Sequence, residues 1–424
     1  LNTLGAEVAW RDACVVPKTS TMNARHGFPG SHALAAPLFR SFWLAGFESA
    51  SHITRAGVRI DMLAATQHIE QADGDYARLR DVGIRAARDA ARWHLIDRGT
   101  TFDFASLAPL VTAARQAGVQ VVWTLCHYGW PDGVDPLAPS FVDRFARYCG
   151  AVARFIASET DEVPFYTPIN EISFLTWAAG DEGFIHPFGR GRGHALKRQL
   201  VRAAIAGSEA IWAVDPRARL VHVDPTIHVV PPRTRPDLLP AAVAQRHGQL
   251  EAWDLLAGLY EPQVGGNPKY LDIVGVNFYW GNQWEYSEDP ADPGRRLGWA
   301  ERPLDDRWMP FSHLLANLYA RYRRPILVGE TSHFGEGRAA WLREVALEVA
   351  SARSSGVPVE GICLYPILDR PDWEDASHWH NSGLWDLVPE ASGMLRRVLN
   401  EPYAEELNRL QKLLSVSAGG QPIS

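Results

Sequence analysis

Two glutamates stand out by what precedes them. Glu171 closes the run Pro164-Phe165-Tyr166-Thr167-Pro168-Ile169-Asn170, and Glu330 closes Pro325-Ile326-Leu327-Val328-Gly329. An acid at the C-terminal end of one barrel strand, with a second at the end of a strand across the barrel, is the arrangement that cleavage of a glycosidic bond needs. One carboxyl then attacks the anomeric carbon while the other protonates the leaving oxygen. A lone glutamate in such a place serves as well as an ion-pair partner or a helix N-cap. Two together, with polar neighbours at other strand ends, favour chemistry.

Such residues need a scaffold. Eight short β-rich runs, at 39–48, 84–93, 119–129, 164–171, 219–229, 271–280, 325–334 and 359–368, alternate with helical segments. Within the helices, apolar residues recur at three- and four-residue spacing, as in Leu107, Leu110, Val111 and Ala114, and again in Phe141, Phe145, Tyr148, Val152 and Phe155. Gly83, Gly118 and Gly356 fall where a helix should end just before a strand. Eight alternating units predict an α/β chain with a single (β/α)8 TIM barrel rather than a doubly wound sheet. Excursions at 172–193, 281–312 and 369–390 follow the fourth, sixth and eighth strands. They predict long loops on the C-terminal face, where barrels carry their active sites. The barrel is expected over 36–414, after a loosely structured segment 1–35 and before a flexible tail 415–424.

Composition narrows the partners. The 424 residues are 46% hydrophobic and 21% charged, as in ordinary globular proteins, with a net charge of −7. The 42 Lys and Arg are scattered, so no basic field is present to hold nucleic acid. No apolar run approaches the roughly 18 residues of a membrane span. The first residues lack a basic stretch followed by an apolar one, so a cytoplasmic, reducing location is expected. Cys14, Cys126, Cys149 and Cys363 show no metal-binding spacing, and the last three sit in apolar runs as small buried hydrophobes. Sixteen Trp suit stacking on sugar rings, although Trp130, Trp177, Trp284 and Trp379 are each as well read as loop anchors. His378 and His380 have no marked acidic partner and read as exposed loop residues.

In short motifs spread over nearly all eight units, the chain resembles glycoside hydrolase family 1, the β-glucosidase-like enzymes of clan A. Asn170-Glu171 matches the Asn-Glu pair that closes the fourth strand, with the Glu as general acid/base. Val328-Gly329-Glu330-Thr331-Ser332 occupies the place of the Ile-Thr-Glu-Asn-Gly nucleophile motif, keeping the Glu and losing both neighbours. Arg88 and Trp93 align with the Arg and Trp of the second-strand motif, which implies that Arg88 holds the nucleophile ionised. Thr124-Leu125-Cys126-His127 matches Thr-Leu-x-His and implies that His127 binds a sugar hydroxyl. Gly275-Val276-Asn277-Phe278-Tyr279 is similar to Gly-x-Asn-x-Tyr, which brings in Asn277 and implies that Tyr279 hydrogen-bonds the nucleophile.

The departures fall where the family reads its glycone. His52 stands in place of a sugar-binding Gln, Tyr365 in place of a stacking Trp, and Asp372 in place of the Glu before Trp373; Ile172-Ser173 follows the acid/base where the family has Pro-Trp. The resemblance therefore implies a divergent member or sister family that keeps the machinery and alters the sugar pocket. It implies a retaining β-glycosidase acting on O-linked β-glycosides or oligosaccharides, with Asn170 on the 2-hydroxyl and neither metal nor cofactor required. A transglycosylase using the same intermediate, and a carbohydrate-binding protein without turnover, stay open as alternatives. Oligomeric state is not legible.

Overall fold

The computed structural model describes residues 37–417 except 290, 291, 293, 301 and 302. The expected segment 1–35, Cys14 and residues 418–424 lie outside the described residues. Eight parallel strands close a barrel: β1 (Trp43–Gly46), β2 (Ala86–Ala90), β3 (Gln120–Thr124), β4 (Phe165–Thr167), β5 (Arg219–Pro225), β6 (Ile273–Asn277), β7 (Ile326–Thr331) and β8 (Val359–Leu364). Each pairs with its sequence neighbours, and β8 pairs back onto β1. The outer ring comprises α1 (Ala72–Asp81), α2 (Ala108–Ala117), α3 (Ser140–Glu159), α4 (Gly193–Trp212), α5 (Glu251–Ala257), α6 (Phe311–Tyr322), α7 (Gly337–Ser354) and α8 (Glu401–Ser417). The chain is thus the (β/α)8 barrel that the alternation predicts.

Strands buried on both faces must be apolar nearly throughout, and here the period of two separates two cores. Leu44, Ala86, Val122, Phe165, Val221, Val223, Ile273, Leu327 and Cys363 fill the barrel, while Ala45, Ala87, Tyr166, Leu220 and Val328 face the helices. In β2 this alternation has a direct consequence. Ala86 and Arg88 share the inner face, and Arg88 reaches across the barrel mouth to β7; Ala87 and Asp89 share the outer face, where Asp89 meets His68 and Tyr76. The predicted helical stripes also pack inward: Phe141, Phe145, Tyr148 and Val152 are buried in α3, and Phe155 stacks on Phe104 with centroids 4.5 Å apart. Gly83, Gly118 and Gly356 each take the left-handed conformation past a helix end.

Every strand is shorter than its apolar run. The runs continue past the last ladder residue as strand-end loops tied down by single backbone bonds, such as Asn170 N to Cys126 O (2.9 Å) and Glu171 N to Val223 O (2.9 Å). The fifth run divides, because His228–Val230 leaves the barrel wall and pairs with Gln283–Glu285 from the loop after β6. The loop after β8 is longer than expected and ends in a hairpin of Trp385–Pro389 with Leu395–Leu399. Helix α8 continues to Ser417, beyond the start of the expected tail.

Candidate active site

Glu171 and Glu330 both sit at the C-terminal mouth of the barrel and are buried, at 8% and 4% exposure. Their surroundings differ in kind. Arg88 Nη1 donates to Glu330 Oε1 at 2.9 Å and to Gly329 O at 2.7 Å, and Tyr279 Oη donates to Glu330 Oε2 at 2.9 Å. Both Glu330 oxygens therefore accept, one of them from a buried guanidinium in a charge-assisted hydrogen bond. Glu171 has no cation against it. Asn277 Nδ2 donates to its Oε1 at 2.7 Å, and the Tyr128 hydroxyl donates to its Oε2.

Burial, and next the negative charge of Glu330, push the Glu171 carboxyl up to about 8, against the smaller opposing effect of the Tyr128 and Asn277 hydrogen bonds. At neutral pH Glu171 holds a proton that it can give. Its backbone adds strain, with φ 46° and ψ 61° in the left-handed region that side chains rarely occupy. The residues after it are fixed by Asp224 at the end of β5, which accepts from Ser173 N at 2.9 Å and from Ser173 Oγ at 3.2 Å. Burial raises Asp224 to about 7.

A ring of polar residues links the two acids. Arg88 Nη2 donates to Asn170 Oδ1 at 2.7 Å, and Asn170 Nδ2 lies 3.2 Å from His127 Nε2. His127 Nδ1 lies 2.8 Å from Ser49 Oγ and 3.3 Å from Tyr365 Oη. Burial, with Arg88 nearby, holds His127 neutral. The Arg88 guanidinium also lies 5.2 Å from the Tyr365 ring centroid. Gly46 makes room for Tyr365, since a Cβ there would collide with that ring. His52 is buried with neither ring nitrogen hydrogen-bonded, packs edge-on against Trp373 at 4.9 Å, and is lowered to about 4 by burial. Trp373 Nε1 is likewise buried and unpartnered.

Of the residues singled out from sequence, the structure brings His52, Arg88, His127, Asn170, Asn277, Tyr279, Tyr365 and Trp373 together around the two glutamates. Asp372 behaves differently. Its Oδ1 accepts from the backbone N–H of Glu374 (2.8 Å) and Asp375 (3.2 Å), and its Oδ2 lies 3.1 Å from His380 Nε2, so the carboxylate organises its own loop. His380 is accordingly corrected from an exposed loop residue: it is half-buried, has the acidic partner that the sequence did not mark, and stacks on Phe334 at 4.8 Å. His378 is exposed, as expected. Trp130 is buried against Phe141, whereas Trp177 is 45% exposed.

Sequence reasoning missed Tyr128, Asp224, Ser49 and Glu48. Glu48 closes the first apolar run as Glu171 closes the fourth, and Ser49 follows it; Tyr128 lies four residues past β3 and Asp224 within β5, where no local signal marks them. Cys126, Cys149 and Cys363 are buried and unpaired. Among the described residues no group of three or more His, Cys, Asp or Glu is placed to hold a metal ion, and no helix is long and apolar enough to cross a membrane. A shallow depression lined by Arg40, Gln120, Glu162 and Pro164 opens near the starts of β3 and β4, away from the two glutamates.

No family model and no curated protein matches the chain. Solved structures do. A family 1 β-glucosidase from Thermotoga maritima superposes with a TM-score of 0.65 at 16% identity, over 82% of this chain and 87% of that one. A β-glucosidase from the same organism in complex with castanospermine gives 0.68 at 15% identity, over 91% and 100%. The β-glycosidase BGL167 gives 0.63 at 19% identity, over 82% and 87%. At these identities the likeness is one of fold: the chain is built as these barrels are, nearly end to end.

Proposed function

We propose that the protein is a retaining β-glycosidase that hydrolyses O-linked β-glycosides by double displacement. The observation that carries this reading is the unequal environment of two buried glutamates at one barrel mouth. Glu330 is bound by Arg88 and Tyr279, while Glu171 is raised to about 8 with only neutral donors against it. Two carboxyls in such unequal surroundings divide the labour of nucleophile and acid.

In the first step Glu330 attacks the anomeric carbon as Glu171 gives its proton to the departing glycosidic oxygen, leaving a glycosyl ester on Glu330 and an alcohol. Esterification removes the charge of Glu330, so one cause of the raised Glu171 pKa disappears. Glu171 then takes a proton from water, which attacks the anomeric carbon and releases Glu330. Asn170, held by Arg88, presents its amide to the sugar's 2-hydroxyl. The fold likeness to β-glucosidases, one of them in complex with glucoimidazole, supports a sugar as ligand.

The test is Glu171→Gln assayed on two sets of β-glycosides. Glycosylation of the enzyme by substrates with poor leaving groups should fall by about 10²- to 10⁴-fold, while activated aryl glycosides should retain most of their glycosylation rate. Equal losses on both sets would remove the acid role from Glu171.

A further inference from the structure

We propose that Glu48, with Arg370 beside it, is the carboxyl that reads the glycone's hydroxyls in this protein, in the place that the sequence comparison gave to Asp372. The inference rests on the glycosidase reading above and specifies its sugar pocket. Asp372 already spends acceptor positions on two backbone N–H groups and on His380, and its side chain is 36% exposed in its own turn. Glu48 is placed otherwise. It lies two residues past the end of β1 and is 6% exposed; its Oε1 accepts from Ala50 N at 2.9 Å and lies 3.9 Å from His127 Nε2. Its Oε2 lies 3.3 Å from Arg370 Nε.

This carboxyl belongs to the pocket. It lies 3.9 Å from His127 Nε2, within the ring of polar residues at the mouth; burial raises it against Arg370, and Glu330 adds to the rise, while its own charge acts on the hydroxyls of Tyr128, Tyr279 and Tyr365. Arg370 spans the gap to the next wall, with its guanidinium 5.5 Å from the Trp373 ring centroid. Beyond it lie the unpartnered nitrogens of His52 and Trp373. A carboxyl that accepts, a guanidinium and an indole N–H that donate, and a neutral imidazole that can do either form a set matched to adjacent hydroxyls.

The set favours a neutral sugar. An anionic glycone would bring a further negative group beside Glu48 and Glu330, and a cationic amino sugar would meet Arg88 and Arg370. Neither repulsion arises with a hydroxyl pair bridging Glu48 and Arg370. The Glu48–Arg370 contact, at 3.3 Å to Nε, leaves both partners with hydrogen-bonding capacity to spend on such a ligand.

The experiment uses aryl β-glycosides of the best-accepted glycone and its four monodeoxy analogues, assayed with the wild type, Glu48→Gln, Arg370→Gln and Asp372→Asn. In the wild type, deleting the hydroxyl that Glu48 reads should lower kcat/KM by about tenfold or more. Glu48→Gln should lose a similar factor on the parent sugar and no further factor on that one analogue. Arg370→Gln should show the same non-additivity for that hydroxyl or its neighbour, which keeps the test decisive if Glu48→Gln fails to melt cooperatively. Asp372→Asn should keep the wild-type pattern of penalties. If the wild type is active and the Glu48 and Arg370 variants leave every deoxy penalty intact, or if Asp372→Asn abolishes one, this inference is overturned and the glycosidase reading stands. A wild type that neither cleaves nor binds any β-glycoside overturns both.

Discussion

Glu171 receives its chemistry from three neighbours that no local pattern connects: a like charge on Glu330, a phenol on Tyr128 and an amide on Asn277. Its position was legible only together with Glu330, because a lone acid after an apolar strand run serves as well as an ion-pair partner or a helix N-cap. Glu330 was legible in the same way, whereas Arg88 and Tyr279 came only from the motifs of the resemblance; both hydrogen-bond Glu330. Tyr128 was not, since a tyrosine after a strand is ordinarily core, and only its hydroxyl's direction gives it a role. The Tyr128 hydrogen bond stabilises the ionised form of Glu171, so Tyr128→Phe should raise the Glu171 pKa above about 8. The alkaline limb of the pH profile of kcat/KM, where activity falls as Glu171 loses its proton, should then move to higher pH. A limb that stays put or moves down would show that the hydroxyl does not act on Glu171 as described.

Among the elements, β2 shows how one strand serves two layers. Arg88 faces the mouth and Asp89, next to it, faces the helices. There it joins a buried chain of charges: Asp89 Oδ2 lies 3.2 Å from His68 Nε2, His68 Nδ1 lies 2.9 Å from Asp75 Oδ2, and Arg397 Nε and Nη2 each donate to Asp75 at 2.8 Å. Arg397 belongs to the hairpin strand Leu395–Leu399, so this chain ties the end of the loop after β8 to α1 and β2. His68 and Asp89 are 21 residues apart with Asp75 between them, but Arg397 stands 322 residues from Asp75, which is why the sequence concealed the chain. Removing one partner of a fully buried ion pair leaves the other uncompensated. Arg397→Leu is therefore expected to cost about 3 to 5 kcal/mol in denaturant unfolding. A loss below about 1 kcal/mol would mean that His68 alone suffices for Asp75.

At the scale of the whole molecule, buried histidines set the response to acid. His52, His94, His222 and His228 are each lowered to about 4, chiefly by burial. As pH falls below 6.5 the unfolded chain takes up these protons while the folded chain does not, so stability should fall between pH 6.5 and 4. The raised carboxyls Glu48, Glu171, Asp224 and Asp369 act in the opposite sense over this range but are four groups against eight, since His127, His186, His247 and His380 are lowered as well. His68 is raised to about 9 by Asp89 and Asp75 against its burial, so its contribution is complete below 6.5 and lost as pH rises toward 9. The melting temperature should therefore peak near pH 6.5 to 7, and His222→Leu should flatten the acid side. A melting temperature still rising as pH falls from 6 to 4.5 would contradict the assignment of neutral histidines. The barrel itself was readable from the alternation of short apolar runs and helical stripes. The lengths of the strands and the hairpin after β8 were not, because the runs carry on past the ladders into the loops that hold the site.

The central claim, that Glu330 is the nucleophile of a retaining mechanism, is tested most directly by incubation with activated 2-deoxy-2-fluoro β-glycosides of several sugars. Intact-mass measurement and peptide mapping follow. The account predicts a single covalent adduct on Glu330 with at least one sugar, which also names the tolerated glycone. Turnover of a β-glycoside without any trapped adduct, or an adduct on another residue, would contradict it.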